Sequence, residues 1–113
     1  MSSTTTQSPT DIYNVKLSNS VSQSLNVIGG TGYDWYIKTI NGEAYEKTQT
    51  VSNLTLVITT NLHVTQSRPG NKTTRVFTMK PSIEGIITIV FEYRRIWEPQ
   101  SVKEHIVVLN VTK

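Results

Sequence analysis

Cysteine is missing from this sequence of 113 residues, which excludes disulfide bonds, a thiol nucleophile and thiolate metal sites. A chain of this kind can fold in a reducing compartment. A domain of this length buries roughly 65% of the surface that its unfolded chain exposes. A hydrophobic core can therefore hold the chain together without a disulfide or a structural metal.

Long apolar runs are also missing, because hydrophobic residues make up only 36% of the chain and no run approaches the ~20 residues that span a bilayer. We therefore expect no membrane partner. Residues 1–10 are polar and lack the basic start and apolar stretch of a secretory signal, so we predict a disordered tail at 1–10 and one domain at 11–113. Glycosylation patterns at Asn71 and Asn110 would place sugars on a loop and a strand that carry the argument below, which favours a cytoplasmic location.

Residues that could support catalysis are scarce. His63 and His105 are the only histidines, and they fall in strands far apart in the sequence. The eight acidic residues form no close pair set against a nucleophile, and no spacing of His, Asp and Glu resembles a metal site. We expect a protein that is not an enzyme and that binds no metal or cofactor.

Alternation of apolar and polar residues dominates the chain, and no long helical pattern competes with it. Seven segments carry this pattern, separated by turn signals, and they lie at 13–17, 21–27, 33–37, 54–64, 75–79, 87–93 and 107–111. This arrangement predicts an all-β fold, an immunoglobulin-like antiparallel β-sandwich of about seven strands. Residues 42–52 fit no strand cleanly, and we predict a loop or a short helical turn there.

Counting strands also predicts where the loops lie. We interpret 54–66 as a single bent strand, because Thr59-Thr60-Asn61 offers no glycine for a tight turn. In an up-and-down antiparallel array alternate loops lie at the same end, so the loops at 28–32, 67–74 and 94–102 should share one end of the sandwich. Binding residues concentrate on such loops.

The first of these loops contains three glycines within the four residues 29–32. Glycine allows positive φ and close approach by another molecule. The loop is not a phosphate-binding loop, since no Lys-Ser or Lys-Thr follows it and no helix opens after it. A flexible turn between strands is the plainer interpretation. Trp35, just beyond the loop, is expected in the core, as on the third strand of a sandwich.

The other two loops carry basic residues and Trp97, which follows a strand in a charged stretch. Trp and Arg often anchor protein interfaces, so we expect Trp97 to be substantially exposed in the free protein. An edge aromatic lying over the core and solvated basic loops are the alternatives. Five of the eleven basic residues lie in or beside these loops, namely Arg68, Lys72, Arg75, Arg94 and Arg95. Because the net charge is only +3, this is a local bias that suits an acidic groove on a partner.

These loops resemble those of the chagasin family, protein inhibitors of papain-like cysteine proteases. The family motifs are Asn-Pro-Thr-Thr-Gly before an aromatic residue, Gly-x-Gly-Gly, and Arg-Pro-Trp after a strand that ends in Tyr. The corresponding residues here are 28–33, with Trp35 downstream, 70–73, and Arg95-Ile96-Trp97 after Tyr93. Glycines replace the family's Pro and first Thr, Ile96 replaces the second Pro, and two glycines of the middle motif are absent.

The resemblance implies an immunoglobulin-like fold and a partner that is a papain-like cysteine protease. The first loop would enter the catalytic cleft and the other two would grip its walls, giving reversible competitive inhibition. The residues that the resemblance places against the protease are Gly29, Gly30, Thr31, Gly32, Tyr33, Gly70, Asn71, Lys72, Thr73, Arg95 and Trp97.

Two other functions compete with this interpretation. One is a non-inhibitory interaction sandwich that uses the same loops on another protein. The other is a nucleic-acid binder, which the basic loops suggest, but only Tyr33 and Trp97 are aromatic near them and the net charge is low. We therefore expect a monomer that binds a protease and no nucleic acid.

Overall fold

The structure is a computed structural model that describes residues 8–65 and 72–113. Within these residues the chain forms strands without an α-helix, so none is long and apolar enough to cross a membrane. The strands are β1 (Thr10–Lys16), β2 (Val21–Val27), β3 (Tyr33–Ile40), β4 (Glu43–Thr48), β5 (Val51–Ser52), β6 (Leu56–Thr65), β7 (Lys72–Pro81), β8 (Gly85–Arg95) and β9 (Lys103–Thr112). The all-β prediction is confirmed. Of the predicted tail, residues 1–7 lie outside the described residues.

Two sheets pack face to face. One has five strands in the order β1-β9-β8-β3-β4, and the other has four in the order β2-β7-β6-β5. Neighbouring strands are antiparallel except β1 and β9, which run parallel with Thr10 opposite Ile106. The first and last strands therefore meet at one edge of the larger sheet, an exception to the predicted antiparallel array.

The core lies between the sheets, on the faces that alternation assigns to the interior. Phe77 of β7 stacks on Phe91 of β8 with ring centroids 4.3 Å apart, joining the two sheets. The fully buried side chains around this pair include Ile37, Leu56, Ile58, Met79, Ile89, Val107 and Leu109. Burial of this kind contributes roughly 1.5–3 kcal/mol per large apolar side chain.

The prediction of a loop or helical turn at 42–52 is wrong. Asn41 (φ 49°) and Gly42 (φ 81°) form the tight turn that the sequence indicated, and the chain returns along β3 as β4. The segment has no alternation because β4 is a solvent-facing edge strand, where charged residues are favourable. The segment forms a strand because its residues pair with β3 across the turn, with Ile40 opposite Glu43, although its own sequence pattern for a strand is weak.

The predicted position of the three loops is confirmed where the structure describes them. Residues 56–65 form one strand, β6, and two short strands were added before it, so the parity of the loops is unchanged. Tyr33 lies opposite Arg95 and Val27 opposite Thr73. The structure bounds the third loop at 96–102. This loop therefore lies at the same end of the sandwich as the first loop and the start of β7.

Candidate functional site

The first loop, residues 28–32, is held by hydrogen bonds at both ends. The amide of Ile28 donates to the hydroxyl of Tyr93 at 2.8 Å. The hydroxyl of Thr31 donates to the carbonyl of Ile28 at 2.7 Å and accepts from the amide of Tyr33 at 3.3 Å. Gly30 and Gly32 have φ values of 79° and 84°, which other residues adopt only with strain. The loop is therefore a shaped turn, and its hydrogen bonds supply stiffness that the family's proline would otherwise give.

Arg95, the last residue of β8, connects the first loop to the third. Its Nε donates to the carbonyl of Thr31 at 2.9 Å, and its guanidinium lies 4.5 Å from the ring centroid of Tyr33. Its other side faces Glu98, with a distance of 3.5 Å to the carboxylate. Tyr33 in turn stacks on Tyr93 at 5.3 Å. Arg95 and Tyr33 therefore shape the base of the loop.

Trp97 lies in the third loop with 65% of its surface exposed, as predicted. Its indole lies against Gly32, so that a Cβ at Gly32 would overlap the ring. Ile28 (63% exposed) and Ile96 (46% exposed) add further apolar surface at this end. Trp35, by contrast, is in the core as predicted, 4% exposed, with its Nε1 donating to the carbonyl of Asn26 at 2.9 Å.

The second loop is only partly described. Gly70 and Asn71 lie outside the described residues, as does the side chain of Lys72, the first residue of β7. Thr73 is half-buried, and its Oγ1 is 3.7 Å from the position of a Cβ at Gly29. The structure therefore brings Thr73 beside the first loop.

The predicted bias of positive charge is weaker than the sequence indicated. Arg75 donates two hydrogen bonds to the carboxylate of Asp34, from Nε to Oδ1 at 3.1 Å and from a terminal nitrogen to Oδ2 at 2.5 Å. Arg94 is buried and pairs with Glu92 at 3.3 Å. Because Arg95 also has its acidic partner, these three arginines are neutralised within the fold. The side chains of Arg68 and Lys72 lie outside the described residues.

The ion pairs beneath the loops also affect a buried phenol. Desolvation raises the pKa of Tyr36, and the nearby carboxylate of Asp34 raises it further, while Arg75 and Arg94 oppose the rise. Within residues 8–65 and 72–113, no group of three or more His, Cys, Asp and Glu side chains is placed to hold a metal ion. The end of the sandwich that carries the loops therefore presents a thin backbone turn flanked by exposed apolar side chains.

Two contributions to this site were not predicted from the sequence. One is the hydroxyl of Tyr93, which anchors Ile28 although the ring belongs to the core. The other is the hydroxyl of Thr31, which closes the loop on itself. Strand parity offered a signal for Tyr93, since it faces the same side as Phe91. Strand parity offered no signal for the hydrogen bond of Thr31, because this residue lies within an irregular loop.

Comparison with known proteins agrees with this arrangement. The family model described as "Chagasin family peptidase inhibitor I42" matches residues 14–111. The chain is similar to PbICP-C in a structure of its complex with falcipain-2, with a TM-score of 0.70 and 20% identity over 97% of this chain and 93% of the other. It is also similar to the cysteine protease inhibitor EhICP2 from Entamoeba histolytica, with a TM-score of 0.64 and 17% identity over 96% and 100% of the two chains.

A third solved structure, that of amebosin, has a TM-score of 0.64 and 18% identity over 93% of this chain and 96% of the other. At these identities the structures show a common fold. No curated protein sequence matches the chain.

Proposed function

The chain belongs to the chagasin family of peptidase inhibitors, and on that basis we propose that it inhibits papain-like cysteine proteases reversibly and competitively, with Gly29 to Gly32 in the catalytic cleft. The members of this family are inhibitors and not enzymes. The structure of PbICP-C with falcipain-2 supports a cysteine protease as the partner. The proposal adds the mode of binding and the residues that carry it.

The observation that carries the proposal is the rigid glycine loop. Binding energy is lost when a flexible loop must be ordered, so a loop that is already shaped binds more tightly. Here the amide of Ile28 and the carbonyls of Ile28 and Thr31 are all bonded within the protein. The exposed glycines at 29, 30 and 32 keep the loop thin enough for a narrow groove.

The same hydrogen bonds support resistance to cleavage. A cysteine protease attacks a carbonyl that enters its oxyanion hole, and it binds its substrates extended. The carbonyls of Ile28 and Thr31 are occupied by Thr31 and Arg95, and Gly30 and Gly32 have positive φ. The peptide bonds after Ile28 and Thr31 therefore start in a geometry unsuited to attack, which favours inhibition over hydrolysis.

Apolar surface beside the loop supports the flanking contacts. Trp97, Ile28 and Ile96 are each at least 46% exposed, and Trp is the residue type most enriched among interface anchors. In the proposed complex Trp97 contacts one wall of the cleft. The second loop would contact the other wall, with Thr73 nearest to the first loop.

The test is titration of papain with the protein, using a fluorogenic peptide as substrate. Competitive inhibition predicts a rise in KM with kcat unchanged, recovery of activity on dilution, and an intact inhibitor after prolonged incubation. An inhibitor that lowers kcat alone, or that is cut between 28 and 32, would contradict the mechanism. If no papain-like protease is inhibited at micromolar concentration, the non-inhibitory interaction sandwich is the better interpretation.

A matched pair of variants tests the role of the first loop. Thr31→Arg puts a bulky charge near the tip and removes both hydrogen bonds of the Thr31 hydroxyl, so we expect the inhibition constant to rise at least tenfold, equivalent to about 1.4 kcal/mol. Ser20→Arg makes the same change in the exposed turn before β2, at the opposite end, and should leave inhibition unaltered. Equal inhibition by both variants and the parent would exclude the loop from the interface.

A further inference from the structure

Within the part of the chain that the structure describes, the outer edge of β6 has no neighbouring strand over most of its length. β5 pairs with it only at Val57 and Ile58. The amide and carbonyl of Leu56 bond to Asn53, on the side away from β7. Because backbone groups alternate in direction along a strand, those of Thr60, Leu62 and Val64 face the same outer side. Among residues 8–65 and 72–113, no group is hydrogen-bonded to the backbone amides or carbonyls of Thr60, Leu62 and Val64.

At the edge formed by β2, on the other side of the same sheet, side chains are hydrogen-bonded to the outward backbone groups. There the carbonyl of Ser22 accepts a hydrogen bond from the hydroxyl of Tyr13 at 3.4 Å, and that of Asn26 accepts one from Trp35 Nε1 at 2.9 Å. The amide of Ile28, just past the strand, is bonded to Tyr93. Side chains of the opposite sheet therefore close the β2 edge to an additional strand.

Charges protect the two edges of the larger sheet. Natural edge strands avoid unwanted pairing by carrying charged residues, prolines or bulges. β1 carries Asp11 and Lys16, and β4 carries two glutamates together with Lys47, whose φ is 53°. The segment 59–65 of β6 has none of these devices, since its sequence is Thr-Thr-Asn-Leu-His-Val-Thr. Its composition favours strand pairing.

The open edge lies at the end that carries the three loops. Val64 is the register partner of Thr73, and Thr73 lies beside Gly29. Since neighbouring strands are about 4.8 Å apart, the Val64 edge is on the order of 10 Å from the first loop. Leu62 (47% exposed) and Val64 (45% exposed) add apolar surface next to the unpaired groups.

We propose that this edge binds the target protease by strand addition: an extended, uncharged segment of the protease, beside its cleft, pairs with Thr60 to Val64. The inference rests on the proposed function, because insertion of the first loop brings the cleft wall alongside β6. In strand addition, backbone hydrogen bonds give affinity and alternate side chains give selectivity. Here the three outward residues supply the backbone bonds, and Leu62 and Val64 supply apolar contact that disfavours a charged segment.

Residue-resolved amide hydrogen exchange by NMR, on the protein alone and with inactivated papain, tests the proposal directly. In the free protein the amides of Thr60, Leu62 and Val64 should exchange rapidly, while those of Asn61 and His63, which face β7, exchange slowly. In the complex the three rapid amides should slow by at least tenfold, giving uniform protection along β6. Binding of papain without any slowing at these amides would overturn the inference while leaving the proposed function intact.

The same experiment distinguishes a second copy of this chain as the occupant. Slowing of the three amides that depends on protein concentration, without papain, would mean that β6 pairs with β6 of another molecule. That result would overturn the assignment of the edge to the protease.

Variants give an independent measurement. Leu62→Pro removes one outward amide and leaves the bonds to β7 in place, and Leu62→Thr removes the apolar side chain but keeps the amide. We expect Leu62→Pro to raise the inhibition constant for papain about tenfold and Leu62→Thr to raise it less. Ser24→Pro, which removes an outward amide from the exposed edge position of β2, is the control and should inhibit like the parent. Equal inhibition by Leu62→Pro and Ser24→Pro would contradict strand addition, whereas failure of the parent to inhibit would contradict the proposed function itself.

Discussion

The indole of Trp97 packs against the backbone of Gly32, so that the third loop takes its position from the first. A Cβ at Gly32 would lie 3.2 Å from Cζ2 and 3.3 Å from Cζ3 of the indole and would overlap Cη2. The glycine therefore has two roles: its φ of 84° closes the turn, and the absence of a side chain makes room for the ring. Arg95 reinforces this contact by bonding to the carbonyl of Thr31, the residue before Gly32.

Gly32→Ala should displace Trp97, and Gly30→Ala should not. Both glycines have φ near 80°, so each alanine costs about 1–2 kcal/mol in backbone strain. Only at Gly32 does the new methyl group meet the indole, since nothing lies within 4 Å of a Cβ at Gly30. Tryptophan fluorescence checks this, because Trp35 is buried and a change in emission reports Trp97. Identical spectra for the two variants would contradict the packing.

Trp97→Ala should weaken inhibition far more than folding. An exposed anchor typically costs about 2 kcal/mol or more of binding energy on truncation, and 65% of Trp97 is exposed, so little core packing is lost. Trp35→Ala is the matched comparison: it removes a core ring that is 4% exposed and should cost about 3–5 kcal/mol of stability. Thermal unfolding and papain titration measure the two effects. A collapse of stability in Trp97→Ala would place this residue in the scaffold.

Tyr93→Phe should loosen the first loop while preserving the core. The change removes the hydroxyl that accepts from the amide of Ile28 at 2.8 Å and retains the ring stacked on Tyr33. We expect a loss of about 1 kcal/mol in stability, faster exchange of the Ile28 amide and a higher inhibition constant. Tyr33→Phe is the control for stability and for exchange of the Ile28 amide, because no hydrogen bond joins its hydroxyl to the residues that the structure describes. If both variants behave alike, the Tyr93 hydroxyl does not position the loop.

Stability should fall at alkaline pH, in part through Tyr36. Burial raises the pKa of this phenol in the folded protein above its ordinary value of 10.0, so the unfolded chain loses the proton first. The contribution of the neutral phenol is complete below pH 10 and is lost as the pH rises through the folded-state pKa. The free energy of unfolding, measured by denaturant titration from pH 8 to 11, should decline less steeply for Tyr36→Phe than for the parent. Equal slopes would mean that Tyr36 does not contribute.

Much of the fold follows from local patterns in the sequence. Alternation assigned the buried faces of most strands, the Asn41-Gly42 pair marked a tight turn, and Trp35 and Trp97 were predicted as core and exposed. The common end of the three loops also followed, because strand parity needs only the order of strands and turns. These features depend on residues that are neighbours in the chain, where steric preference and the period of two act directly.

What the tertiary structure decided is how distant groups are paired. Nothing local indicates that β1 runs parallel to β9, or that β4 forms from a charged segment whose partner is set by the turn before it. The loop depends on Tyr93, whose hydroxyl accepts a hydrogen bond from the amide of Ile28, and on Arg95, which donates one to the carbonyl of Thr31. Each of these two residues is more than 60 residues away from its partner in sequence. The edge of β6, unpaired among residues 8–65 and 72–113, likewise cannot be recognised in the sequence, because it depends on which strands lie beside β6 in the folded sheet. Hydrogen-bond partners and edges are properties of the assembled sheets, so only the folded chain determines them.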